Sequence, residues 1–223
     1  MSDDSAWERY GIAAGILFVV LVVIAALIGG APPKPTDSTA KIGSYFHDNQ
    51  DALKVGGYLN GLAAVAFLLF LGSLWARLRR VEGVASRLSV VALSGGIAAL
   101  GLAVIADAIN SYVALYIGDL GPGGAKAFYL LAVIIVSFAA FGLAVFVSAT
   151  SVMILRHSFV ERWLGWIGLA IAGLWFIAGI GVADNNTPIH TLGFIAFLLW
   201  AGWLLVLAVL MLTRELPADA TQA

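Results

Sequence analysis

The chain has no cysteine in its 223 residues. Disulfides, thiolate metal sites and cysteine nucleophiles are thereby excluded, and the redox compartment leaves no mark. Charge is nearly as scarce. Charged residues make up 11% of the chain, less than half of the about 25% usual in a soluble domain. Net charge is −1, so no acidic or basic partner is implied and no nucleic acid is expected. There are six prolines, and Pro32, Pro33 and Pro35 crowd into one stretch. Recognisable chemistry is missing too. The chain contains no H-E-x-x-H, no G-x-S-x-G and no phosphate-binding glycine loop. No two histidines are placed to hold a haem between helices. No catalytic residue, metal site or cofactor is expected.

Apolar residues fill the space that charge leaves, at 61% of the chain. They form six blocks, near 11–29, 56–76, 88–117, 127–155, 163–182 and 189–213. A helix needs about 20 apolar residues to cross a bilayer core, and each block is of that order or longer. The blocks are apolar all round. Barrel strands would alternate apolar and polar residues, so a β-barrel is not expected. The expected fold is an all-α polytopic bundle of six transmembrane helices in a single domain, 1–223.

Basic residues orient the bundle. Arg9, Arg77, Arg79, Arg80, Arg87, Arg156, Arg162 and Arg214 all flank one set of block ends, and Lys34, Lys41, Lys54 and Lys126 the other. Placing the arginines in the cytoplasm makes both tails, 1–10 and 214–223, cytoplasmic. The cytoplasmic membrane is the expected location. The first block is longer than a signal-peptide core and follows Asp3, Asp4 and Glu8, so it is read as a retained span.

The segment 31–55 breaks the pattern of short loops. Asp37 or Ser38 is suited to capping a helix. Ile42, Tyr45, Phe46, Asn49 and Leu53 then recur at helical spacing among polar residues. A short amphipathic helix is expected on the outer side, lying on the membrane surface or capping the bundle. Thr187 and Pro188 mark the start of the last span. Gly123 and Gly124 read as turn glycines, whereas Gly95 and Gly96 read as packing glycines.

Small residues mark contact faces in lipid. Gly96, Ala99, Ala103, Asp107, Asn110 and Ala114 share one stripe, as do Gly57, Asn60, Gly61 and Ala64 on the second span. Asp107 is the only acidic residue well inside a span. A carboxylate there is costly unless paired, hydrated or protonated. Asn60, Asn110 and His190 fall at compatible depths, and with Asp107 they form the candidate ligand-binding group. The alternative is a structural hydrogen-bond cluster at the helix ends. Trp175, Trp200 and Trp203 lie deep in spans, where they fill space or stack a ligand.

Three stretches carry a family resemblance. They are Ser38-Thr-Ala-Lys-Ile-Gly-Ser-Tyr-Phe, Leu74-Trp-Ala-Arg-Leu-Arg-Arg-Val-Glu-Gly83, and Leu155-Arg-His-Ser-Phe-Val-Glu-Arg-Trp-Leu-Gly-Trp-Ile-Gly168. Through them the chain resembles a family of uncharacterised six-helix integral membrane proteins of high-GC Gram-positive bacteria. The resemblance implies the fold and the compartment and brings no activity. The expected function is a non-enzymatic one: an accessory or interaction subunit, or a binder of a lipid or small amphipathic ligand from the outer leaflet. A small transporter or channel using Asp107 and a membrane enzyme acting on lipid or isoprenoid are the alternatives. Membrane lipids are the expected partners, with a protein partner or a second copy left open.

Overall fold

The computed structural model describes residues 3–183 and 187–213, and every described element is helical. In chain order these are α1 (Asp3–Gly29), α2 (Thr39–Asp48), α3 (Gln50–Glu82), α4 (Arg87–His157), α5 (Arg162–Ala178) and α6 (Thr187–Thr213). Short 3₁₀ turns occur at Gly83–Ala85 and Gly179–Val182. Among the described residues, five stretches are long and apolar enough to cross a membrane, one in each helix except α2. Residues 214–223, including Arg214, lie outside the described residues. Of the other tail, 1–10, residues from Asp3 onward form the first turns of α1.

α4 is 71 residues long, about 105 Å at 1.5 Å per residue if straight. It is not straight. Tyr116 (φ −116°, ψ 22°) and Gly121 (φ 62°, ψ 176°) leave helical geometry and divide it into limbs, 87–115 and 122–157. Gly121 takes a positive φ that a side chain would resist, and Pro122 follows, with its φ already set for a helix start. The limbs fold back against each other, with Gly95 against Gly142 and Phe146. The expected loop between the third and fourth spans is thus a bend. Gly123 and Gly124 do not make the turn; both belong to the second limb.

α1 packs on α3 and on α6, and α4 packs on both α3 and α5, with α5 on α6. The ring of contacts closes around a core that includes Phe18, Phe67, Phe70, Phe146, Trp200 and Trp203. Small residues permit it. Gly165, Gly168 and Ala172 on α5 and Gly179 in the turn after it are all buried. Gly61 is the exception: it is exposed, with no atom within 4 Å of an added Cβ. α3 turns a neighbouring face inward, led by Gly56, Ala63, Ala66, Phe67 and Phe70. Large apolar side chains such as Leu68, Leu69, Phe138, Trp166, Phe194 and Leu198 are exposed around the outside. So much outward apolar surface suits a lipid surround.

Each end of the bundle is tied differently. At the arginine end, Arg80 pairs with Glu8 of α1. Buried Arg77 donates to the Met211 carbonyl of α6 at 2.6 Å, a cation at a helix C-terminus. The Glu82 carboxylate accepts from the N–H groups of Leu88 (2.7 Å) and Ser89 (2.8 Å), capping the start of α4. At the other end Ser38 caps α2, its hydroxyl accepting from the Lys41 N–H at 3.3 Å. α2 then lays Ile42 and Phe46 against Val113, Ala114, Ile117, Ala125 and Tyr129, on both limbs of α4. Gly43 lets α2 approach the bend: a Cβ there would lie 2.8 Å from that of Pro122. The Tyr129 hydroxyl donates to the Pro33 carbonyl, and Lys126 Nζ donates to the Asp37 carbonyl at 2.9 Å. Tyr129 is therefore a buried clamp.

Candidate functional site

Asp107 sits on the first limb of α4 and Asn60 on α3. Below them, towards the arginine end, Ala99 and Ala103 continue the same stripe. Near the pair, α3 and α4 approach closely because Gly57 has no side chain: a Cβ there would lie 2.4 Å from Ser111 Oγ. This approach lets the Asn60 amide donate to Asp107 Oδ1 at 3.3 Å, bridging the two helices. The predicted pairing of Asp107 with Asn60 is present in the structure.

The pair forms the polar edge of a cavity of about 280 Å³. All five membrane-length helices contribute. Phe18 comes from α1, Asn60, Ala63 and Phe67 from α3, Trp175 from α5, and Phe197 and Trp200 from α6. α4 supplies Ala99, Ala103 and Asp107 from its first limb and Val136, Ala139 and Leu143 from its second. The void follows from the stripe. Alanines face aromatic rings that lean on one another, with Phe18 to Phe67 at 4.8 Å and Phe18 to Trp200 at 5.6 Å between centroids. The rings fill the far wall, and the alanines leave the near side open. Along α4 the cavity runs from Ala99 to Asp107, about 12 Å at the helical rise.

The other two predicted site residues fare differently. Asn110 lies one turn beyond Asp107 and does not line the cavity. Its Oδ1 is buried without a hydrogen-bond partner among the described residues. His190 falls in α6, but its side chain lies outside the described residues. The tryptophans also divide. Trp203 is structural, its Nε1 donating to the Leu164 carbonyl at 3.0 Å. Trp175 and Trp200 line the cavity, and their buried Nε1 atoms have no partner among the described residues. The serine-rich second limb behaves as its residue types suggest. Ser137 and Thr150 donate to carbonyls four residues back, at 3.0 and 2.8 Å.

Phe18, Phe67 and Phe197 were missed as site residues. They carry a weak signal: each falls in the interior of its helix, away from the ends where interfacial aromatics collect.

Set against models of known protein families, curated proteins and solved structures, the chain matches none. The chemistry available is that of one carboxylate and one amide at the edge of an aromatic and aliphatic cavity. No second acidic side chain lines the cavity among the described residues.

Proposed function

We propose that this chain is a six-span protein of the cytoplasmic membrane, with both termini in the cytoplasm, that binds a small amphipathic molecule from the outer leaflet. It acts by binding and is not an enzyme. The split of arginines and lysines supports the threading. The observation that carries the function is the cavity beside Asp107. Its volume of about 280 Å³ lies just below the usual range for ligand pockets, enough for a small molecule, and it combines an apolar body with few polar groups at one edge. Membrane-buried polar groups mark functional sites by default. On the proposed threading, that polar edge lies towards the outer leaflet and the apolar body points to the membrane centre.

A transporter is favoured less. Its substrate site would sit at broken helices near the midplane. The break in α4 at Gly121 is about four turns from Asp107, outside the cavity.

Native mass spectrometry of protein purified in neutral detergent tests the binding reading. The wild-type chain should carry, or take up, one small apolar molecule. Ala103→Phe, which fills the cavity, should not. Equal occupancy in the two proteins, or none in the wild type after incubation with membrane lipid extract, would refute it.

A further inference from the structure

We infer that the cavity takes an amphiphilic organic cation, with an amine or quaternary ammonium head beside Asp107 and a short apolar tail running towards Ala99. This names the ligand class of the site proposed above and rests on that reading.

Charge complementarity is the first ground. Asp107 is the only acidic side chain lining the cavity among the described residues, and no lysine or arginine lines it. Its hydrogen-bond partner is a neutral amide. An ionised carboxylate within a bundle needs a cation, and here the protein supplies none among the lining residues. An anionic ligand would be repelled by Asp107 and would find no cation in the lining, only indole N–H donors from Trp175 and Trp200.

The rest of the lining selects among cations. Calcium takes about six to eight oxygen ligands, and magnesium keeps an octahedral shell of oxygens. Among the described residues, only Asp107 and Asn60 offer side-chain oxygens here. The remaining wall is aliphatic and aromatic, including Phe18, Phe67, Trp175 and Trp200. Aromatic faces attract organic cations, tryptophan most strongly, and do so without the shell of oxygens a metal requires. The apolar body extends from the carboxylate along the helix, so a head group bound at Asp107 has room for a tail on one side only.

Binding of three short probes to the detergent-solubilised chain tests the inference: hexyltrimethylammonium, hexan-1-ol and hexanoate, followed by tryptophan fluorescence. The wild type should bind the cation at least tenfold more tightly than the alcohol, and hexanoate weakest. Asp107→Asn should remove the cation's advantage over the alcohol. Trp175→Leu should weaken the cation more than the alcohol. Ala103→Phe should abolish binding of all three. Equal wild-type affinities for cation and alcohol would overturn the ligand class whether or not Asp107→Asn folds. In that case, loss of alcohol binding in Ala103→Phe would leave the cavity reading standing. Binding of every probe unchanged by Ala103→Phe would overturn that reading as well.

Discussion

Gly95 and Gly142 hold the two limbs of α4 backbone to backbone. A Cβ added at Gly95 would lie 2.9 Å from the Gly142 carbonyl oxygen, and one added at Gly142 would lie 3.0 Å from that of Gly95. Neither obstacle is a flexible side chain, so the limbs must separate to admit a methyl group. Gly142→Ala is expected to destabilise the bundle by about 1–3 kcal/mol, the usual range for overpacking. Gly101 provides the control: it is exposed, with no atom within 4 Å of an added Cβ. Gly101→Ala should leave thermal stability in detergent unchanged or slightly raised. Equal melting temperatures for the two variants would show that the limbs do not depend on this contact.

The Asn60–Asp107 bond joins α3 to α4 at 3.3 Å, and interhelical hydrogen bonds in membranes contribute about 0.6–2 kcal/mol. Asn60→Leu should lower stability by that amount. Asp107→Asn keeps hydrogen bonding and nearly the same shape, so it should melt close to the wild type. A loss in Asp107→Asn as large as in Asp107→Leu would mean that the charge itself holds the fold together.

Small-residue spacing made the stripe from Gly96 to Asp107 legible, because lipid rewards close backbone approach and little else. It also made the depth match of Asn60 and Asp107 legible. Spacing cannot choose between adjacent faces of a helix apolar on every side. Hence Gly61 was placed inward, although α3 buries Gly56 and Ala63 instead. The bend was misplaced for a similar reason. A sequence of Gly121, Pro122, Gly123 and Gly124 offers several possible breaks, and the close approach of Gly43 in α2 to Pro122 accompanies the one at Gly121. The aromatic wall was least legible. Phe18, Phe67, Phe197 and Trp200 come from three helices, and only packing brings them together.

α2 is held chiefly by two side chains, Ile42 and Phe46, both almost wholly buried. Phe46→Ala removes a ring that stacks edge-on against Tyr45 and Tyr129, and large-to-small changes of this kind cost about 3–5 kcal/mol. Few other apolar contacts hold the segment, so it should open before the bundle melts. Amide exchange over 39–48 should accelerate in Phe46→Ala while that of the α3 and α4 interiors stays slow. Uniform acceleration would mean that α2 and the bundle open as one unit.

Threading is open to a direct check because the chain has no cysteine to confuse it. Single cysteines at Gly83 and Ser158 lie at the arginine end, and cysteines at Lys41 and Gly123 at the α2 end; the last two positions are exposed. In intact cells a membrane-impermeant maleimide should label Lys41→Cys and Gly123→Cys but not Gly83→Cys or Ser158→Cys. The reverse pattern would turn the bundle over, and mixed labelling within either pair would break the six-span threading.

The α2 end should also be sensitive to alkali. The Tyr45 hydroxyl donates to the Gly29 carbonyl at 2.9 Å, fastening α2 to the end of α1. Burial raises the pKa of this phenol above its ordinary value of 10.0. The folded state thus favours the protonated form. Its contribution is complete below the unfolded pKa and declines once the unfolded phenol begins to ionise, disappearing as pH rises through the higher folded value. Ionisation also removes the hydrogen that the Gly29 carbonyl accepts. The melting temperature should therefore fall between pH 9.5 and 11.5, on the order of the phenol's ordinary titration range. Tyr45→Phe should be slightly less stable at pH 8, where it lacks the bond, and should fall less steeply above pH 10, so the two curves converge. Parallel curves would assign the alkaline loss to some other group.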